Sequence, residues 1–247
     1  MSISFGLTVT ENGSAANEHA GRVREMFGNI AGRYDLLNHL LSANVDKRWR
    51  RIVANKVREK LSDPKSARIL DVACGTGDLS LTLFETTGAQ VVGTDFCRPM
   101  LTIAAGKIPS QVPLIEGAAL RLPFRSDSFD AVTIAFGLRN LSSVEDGLAE
   151  LCRVLKPGGW VAVLEFSTPS NAILRGLYGA YFRGVLPLIG GAISGSLSAY
   201  VYLPTSVQSF PDQRRLALLM EQAGYEQVGY QNLTGGIAAL HIGRKRS

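Results

Sequence analysis

An apolar run from Ile69 to Ala73 breaks off at Gly75 and Gly77, and Leu79, Leu81 and Leu83 follow at once. This pattern predicts a buried strand, a tight glycine turn and a helix. Two glycines with one residue between them let the backbone approach a ligand that a Cβ would push away. The N–H groups that open the following helix face the same space. The stretch therefore predicts a nucleotide-type site, and the turn alone leaves the ligand open.

Acidic residues narrow the choice. In a dinucleotide turn the third glycine packs the helix and the pyrophosphate needs an anion-friendly loop. Here Ser80 holds the third position, and Asp71 and Asp78 flank the glycines. A cationic or zwitterionic ligand suits this loop better, as the sulfonium and amino-acid end of S-adenosylmethionine would, with Asp71 placed to meet it. The next strand, Gln90 to Asp95, ends in a second carboxylate. An acid there can accept both hydroxyls of an adenosine ribose.

At 247 residues the chain can bury one full α/β core. The expectation is a disordered terminus at 1–17 and a single domain over 18–247, with a helical cap at 18–61 and an apolar helical insertion at 171–210. The net charge of +5 is unevenly placed, because residues 22–60 hold ten basic side chains against four acidic ones. A basic helical face can sit on anionic headgroups or simply be solvated. No aromatic-interleaved basic motif is present, so nucleic acid is not an expected partner. Three separated cysteines give neither a disulfide framework nor a zinc pattern, and no histidine stands in metal-ligand spacing, so no metal is expected. A cytoplasmic location follows from the cysteine usage and from residues 1–20, which lack a basic start followed by an apolar core.

From Ala67 onward, strands near 68–73, 90–95, 112–116, 129–136 and 158–166 alternate with helices near 78–87, 97–106 and 143–155. Alternation of this kind implies a parallel, helix-covered sheet with its ligand edge at the strand C-termini. Ala118 and Ala119 after the third strand leave room for a flat adenine ring, or form an ordinary tight turn. A helix at 211–224, a strand at 225–233 and a partner at 236–242 predict a closing antiparallel hairpin. Between Arg183 and Asp212 there is no charge, but Pro187, Gly190, Gly191 and Gly195 interrupt a regular membrane span. That stretch reads as a dimer contact or as a groove for an isoprenoid tail.

The motifs Asp71-Val-Ala-Cys-Gly-Thr-Gly-Asp78, Leu122-Pro-Phe124, Phe129-Asp-Ala-Val132 and Leu155-Lys-Pro-Gly-Gly159 resemble those of class I S-adenosylmethionine-dependent methyltransferases. More specifically, Arg33 to Asn38, Phe136 to Asn140, Val163 to Ser167 and Asn232 to His241 resemble the ubiquinone/menaquinone biosynthesis C-methyltransferases, over about Phe27 to Gly243. The resemblance implies a Rossmann-like, mostly parallel seven-stranded sheet with helices on both faces and a C-terminal antiparallel hairpin. It implies methylation of a ring carbon of a polyprenylated quinol, demethylmenaquinol to menaquinol or the benzoquinol precursor of ubiquinone. Peripheral contact with the inner face of the membrane is the expectation that goes with the basic face at 22–60, where it is not simply solvated. It places S-adenosylmethionine contacts at Thr76, Asp95, Ala118, Ala119 and Ala135, beside Asp71, Gly75 and Gly77 of the turn. The family often has Asn at 118 and Ser at 135, so alanine at both leaves backbone contact only.

Methyl transfer from a sulfonium needs alignment, exclusion of water and help with a proton. Arg139 and Asn140 are the candidate catalytic residues, holding the quinol oxygen or a water that takes its proton. The alternative for Arg139 is structural, an ion pair with Asp35 or Glu165. Tyr34 and Tyr200 are candidates to line the quinol pocket. The rival functions are an NAD-dependent oxidoreductase, disfavoured by Ser80 and the acidic turn, and a non-catalytic, cofactor-binding subunit of a quinone-biosynthesis complex.

Overall fold

The computed structural model describes residues 21–28, 31–32, 44–169, 176 and 206–247. The strand signals resolve into one seven-stranded sheet of order β3-β2-β1-β4-β5-β7-β6. Its strands are β1 (Arg68–Val72), β2 (Gln90–Asp95), β3 (Leu114–Glu116), β4 (Phe129–Ala135), β5 (Leu155–Phe166), β6 (Tyr225–Leu233) and β7 (Ala238–Lys245). The first five run parallel, and β7 is antiparallel to both β5 and β6. Among the described residues the longer α-helices are α1 (residues 21–28), α2 (Val45–Lys60), α3 (Asp78–Thr87), α4 (Arg98–Lys107), α5 (Val144–Val154) and α6 (Gln213–Gln222).

Strand side chains alternate between faces, and this builds two cores. On one face Ile69, Val91, Ala131, Leu164 and Leu240 pack with Trp49, Val53 and Val57 of α2 and with Leu79 and Leu83 of α3. On the other, Leu70, Val72, Val132, Ile134 and Val163 pack with Leu148 and Leu151 of α5 and with Leu216 and Met220 of α6. Helices thus cover both faces, as the sequence pattern predicts. The final pair is also as expected, with β7 inserted between β5 and β6.

Boundaries differ where glycine and proline interrupt the periodicity. Helix α5 stops at Val154, and β5 begins at Leu155, upstream of the Lys156-Pro157-Gly158-Gly159 segment. Phe129 pairs with Leu155 and Ala131 with Trp160, so the segment is an irregularity inside the ladder. Gly158, at φ +77°, carries the kink. Helix α2 begins at Val45, one residue before Asp46. The segment from 170 to 205, apart from Gly176, lies outside the described residues, and with it most of the expected apolar insertion.

Leu151→Ala empties a fully buried site between α5 and the sheet, and should cost about 2–5 kcal/mol in urea unfolding. Leu218→Ala, on the exposed side of α6 with Leu218 50% accessible, should cost less than about 0.5 kcal/mol in the same measurement.

Candidate active site

The register of the sheet brings the site together. Asp71 pairs with Gly93 on one side and with Thr133 on the other, at the C-terminal ends of three parallel strands. Its side chain points toward the α2 and α3 face, as does that of Thr133. Asp71 Oδ2 accepts a hydrogen bond from Ser80 Oγ at 2.6 Å, and Oδ1 accepts one from Thr133 Oγ1 at 2.8 Å. Ser80, at the third position of the glycine pattern, is fully buried and ties α3 to β1. Burial pushes the Asp71 carboxyl from 3.8 up to about 6, against the two hydroxyl hydrogen bonds and the charge of Arg50, which pull it down.

Asp95, at the end of β2, is aimed by two backbone donors. Its Oδ2 accepts from Gly75 N and its Oδ1 from Cys97 N, each at 2.8 Å. Burial raises this carboxyl too, while the N–H groups of Cys97, Gly75 and Phe96 hold it down. Each oxygen keeps lone-pair capacity beyond its one backbone donor.

Asp95 lines a cavity of about 250 Å³ together with Gly75, Ala118, Ala119, Ala135 and Asn140. Val23 and Phe27 of α1 and Met100 of α4 close it with apolar surface. A second cavity of about 30 Å³ is lined by Arg50, Asp71, Thr76 and Asp78. Ala73, Gly75, Ala135 and Phe136 line both. Two of these four, Ala73 at φ 52° and Phe136 at φ 58°, are non-glycine residues in the left-handed region. Such conformations cost of order 1–3 kcal/mol each and persist where the surroundings over-determine them. Here the constraint is visible. Phe136 N donates to Leu164 O at 2.8 Å, and its carbonyl accepts from Arg139 Nη1 at 2.6 Å and Asn140 Nδ2 at 3.1 Å. Its ring packs against Phe166, with centroids 4.6 Å apart, and against Trp49 at 6.1 Å. A Cβ on Gly137 would come within 2.6 Å of Ala73 Cβ, so glycine there permits the two turns to touch.

The candidates from the sequence therefore distribute unevenly. Asp71, Gly75, Thr76, Asp95, Ala118, Ala119, Ala135 and Asn140 line one or both cavities. Gly77 lines neither; it sits at φ +85°, and a Cβ there would meet Ile108 Cγ2 at 2.9 Å. Arg139 also lies behind the wall. Its side chain is 6% exposed and pairs with Glu165 at 2.8 Å, and its backbone N–H donates to the same carboxylate at 3.2 Å. Tyr34 and Tyr200 fall outside the described residues. The sequence reading passed over Arg50, Phe136 and the Thr133 contact to Asp71. For Arg50 the signal was present: it falls between Trp49 and Val53 on the buried side of α2, where an unpaired cation would be costly.

The chemistry of these donors fits S-adenosylmethionine. A buried carboxylate with free lone pairs suits ribose hydroxyls, apolar walls suit an adenine ring, and the small charged cavity suits an amino-acid end. Among the described residues no cluster of histidine, cysteine or carboxylate side chains could hold a metal ion.

Asp71 has a pH signature. Above about pH 6 the folded protein bears the cost of a desolvated carboxylate, and below 3.8 both states are protonated and the cost is gone. Its contribution thus lowers stability as pH rises between those values. Relative to the wild type, Asp71→Asn should gain roughly 2 kcal/mol between pH 4 and pH 7 in urea unfolding.

Comparison with known proteins gives the family. Residues 14–245 match the family described as the ubiE/COQ5 methyltransferase family. The demethylmenaquinone methyltransferase of Thermus thermophilus is 51% identical over 222 residues, covering 88% of this chain and 99% of that protein. The ubiquinone/menaquinone biosynthesis C-methyltransferase UbiE of Citrifermentans bemidjiense is 44% identical over 238 residues, covering 94% and 99%. Among solved structures, a SAM-dependent methyltransferase from Thermotoga maritima, described as a possible histamine N-methyltransferase, shares the fold with a TM-score of 0.62 at 18% identity. It covers 90% of this chain and 99% of its own. The chain belongs to the ubiE/COQ5 methyltransferase family.

Proposed function

We propose that this protein transfers a methyl group from S-adenosylmethionine to a ring carbon of a polyprenylated quinol, with demethylmenaquinol as the acceptor. The observation that carries this reading is the shared wall of Ala73, Gly75, Ala135 and Phe136 between a large apolar cavity and a small charged one. A ligand with a flat nucleoside and a zwitterionic end needs that pairing. The naphthoquinol acceptor is favoured over the benzoquinol by the Thermus relative, which is named a demethylmenaquinone methyltransferase.

When bound, S-adenosylmethionine supplies an electrophilic methyl on sulfur. The chain's own residues bind, orient and exclude water. Asp95 would take the ribose hydroxyls, with its oxygens already aimed by Gly75 and Cys97. Ala118, Ala119 and Ala135 present backbone and small side chains to the cavity, so contact there is by shape. Val23, Phe27, Met100 and Leu141 keep water from the reacting centre.

The acceptor carbon becomes nucleophilic as its neighbouring hydroxyl loses a proton. Asn140 lines the larger cavity, and in this reading it holds that oxygen, or the water that takes its proton. Arg139 acts through the turn: it fixes Phe136 and Asn140 from behind, anchored on Glu165. It is a positioning residue in this reading. The uncharged stretch between Arg183 and Asp212 is assigned the prenyl tail on its composition. No described helix is long and apolar enough to cross a membrane.

The direct test is incubation with S-adenosylmethionine and reduced demethylmenaquinol or the demethylated benzoquinol precursor, with methylated product followed by mass. Turnover of the naphthoquinol is expected. Turnover of the benzoquinol alone would reassign the acceptor, and no product from either, with S-adenosylhomocysteine still bound, would favour the non-catalytic subunit. Arg139→Met should lower kcat by about a hundredfold and destabilise the fold by about 3–5 kcal/mol, because it strands the Glu165 carboxylate. Adding Glu165→Gln should restore most of the stability and little of the turnover. Recovery of both together would make the ion pair purely structural.

A further inference from the structure

Beside the glycine turn, Arg50 is held in a way that a structural ion pair does not require. Its side chain is 9% exposed, and a guanidinium so buried needs acceptors for its five N–H groups. Nη1 meets Asp46 Oδ2 at 2.5 Å and Asp78 Oδ2 at 3.3 Å. Both partners engage the same nitrogen. Among the described residues no protein acceptor engages Nη2 or Nε, and the side chain lines the cavity of about 30 Å³. A cavity of that size holds one or two water-sized groups, which matches a carboxylate and excludes a ring.

The neighbours set the charge. Asp78 Oδ1 accepts from Lys107 Nζ at 2.5 Å, and the same Nζ reaches Thr76 Oγ1 at 3.3 Å. Around the cavity stand two cations, Arg50 and Lys107, and three carboxylates, Asp46, Asp71 and Asp78. With all of them ionised the cluster carries one net negative charge. The methionine end of S-adenosylmethionine carries a sulfonium, an ammonium and a carboxylate, one net positive charge. Complementarity of sign holds for the whole, and within the whole only Arg50 and Lys107 can meet the carboxylate. Arg50 is the one that lines the cavity and has donors left in a planar fork.

We propose that Arg50 binds the carboxylate of the methyl donor's amino-acid end, and so makes the enzyme selective for ligands that retain it. The inference rests on the methyltransferase reading and extends it to a residue of the N-terminal helical cap. Asp46, one turn earlier on α2, orients the guanidinium, Asp78 is held between Arg50 and Lys107, and Asp71, which lines the same cavity, faces the ligand's positive groups.

The test is binding, by calorimetry, of S-adenosylhomocysteine and of its decarboxylated analogue, which lacks only the carboxylate. Wild-type protein should prefer S-adenosylhomocysteine by about tenfold or more, and Arg50→Gln should lose that preference while its affinity for the decarboxylated analogue changes less than about threefold. Arg50→Lys, which keeps the charge without the fork, should fall between. Arg51→Gln, an exposed neighbour on α2, should leave both affinities unchanged. Equal weakening toward both ligands in Arg50→Gln would reduce Arg50 to a structural role and overturn the proposal. A wild-type protein that does not distinguish the two ligands overturns it without any variant. Failure of the wild type to bind S-adenosylhomocysteine at all would instead sink the methyltransferase reading on which the proposal stands.

Discussion

The carboxylate of Asp71 is the constraint on which the site depends. It is buried at the C-terminal end of β1, where a charge without partners would be expelled or neutralised. Ser80 from α3 and Thr133 from β4 each donate a hydroxyl to it, at 2.6 and 2.8 Å. Helix α2 contributes the positive field of Arg50. One side chain therefore fixes the glycine turn to its helix, the turn to the neighbouring strand, and α2 to both. Register does the rest, because Asp71 opposite Thr133 is a consequence of the β1 and β4 pairing. A slip of one residue in either strand would turn the hydroxyl to the other face.

Strain is concentrated at the same edge. Ala73 follows β1 and Phe136 follows β4, and both take left-handed backbone. Neighbouring parallel strands thus end in the same unfavourable conformation, against each other, with Gly137 clearing the contact. Each is held by groups that also shape the cavity wall. The Arg139 and Glu165 pair explains why a buried charge is kept at this turn. Its desolvation is offset only in part by its own attraction, but Arg139 also caps the Phe136 carbonyl, while Glu165 caps the Arg139 and Phe166 amides. Removing the pair would leave several buried backbone groups with fewer partners.

Most of this was legible where a residue's role depends on its own neighbours in the chain. The apolar run ending at Gly75 and Gly77 gave the strand, the turn and α3, and the acid at Asp95 gave the second half of the site. Roles that depend on packing between distant segments were not legible. Nothing local to Thr133 says that it faces Asp71, since the register joins residues 62 positions apart. Arg139 was correctly paired with Glu165 as one of two structural alternatives, yet only the three-dimensional arrangement shows that its guanidinium stands behind the cavity wall. Phe136 gave no sign of its strained backbone, because a bulky aromatic is a poor candidate for positive φ and the tertiary contacts override that preference.

Helix α2 and the site are energetically joined through adjacent residues of that helix. Trp49 belongs to the hydrophobic core and donates its indole N–H to Thr234 Oγ1 at 3.0 Å, in the turn between β6 and β7. Arg50, next in the chain, turns toward Asp78 at the glycine turn. A helix that packs by one side chain and contacts the charged cavity by the next cannot shift without disturbing both. Anything that binds the folded site at free concentration L stabilises the folded chain by RT ln(1 + L/Kd), which grows with the logarithm of ligand concentration once that exceeds Kd. Through Arg50 that stabilisation reaches α2, and through Trp49 it reaches the junction of β6 and β7. Helix α2 is thereby part of the site's energetics even though the large cavity is walled from this side by Phe136 alone among the aromatic cluster of Trp49, Phe136 and Phe166.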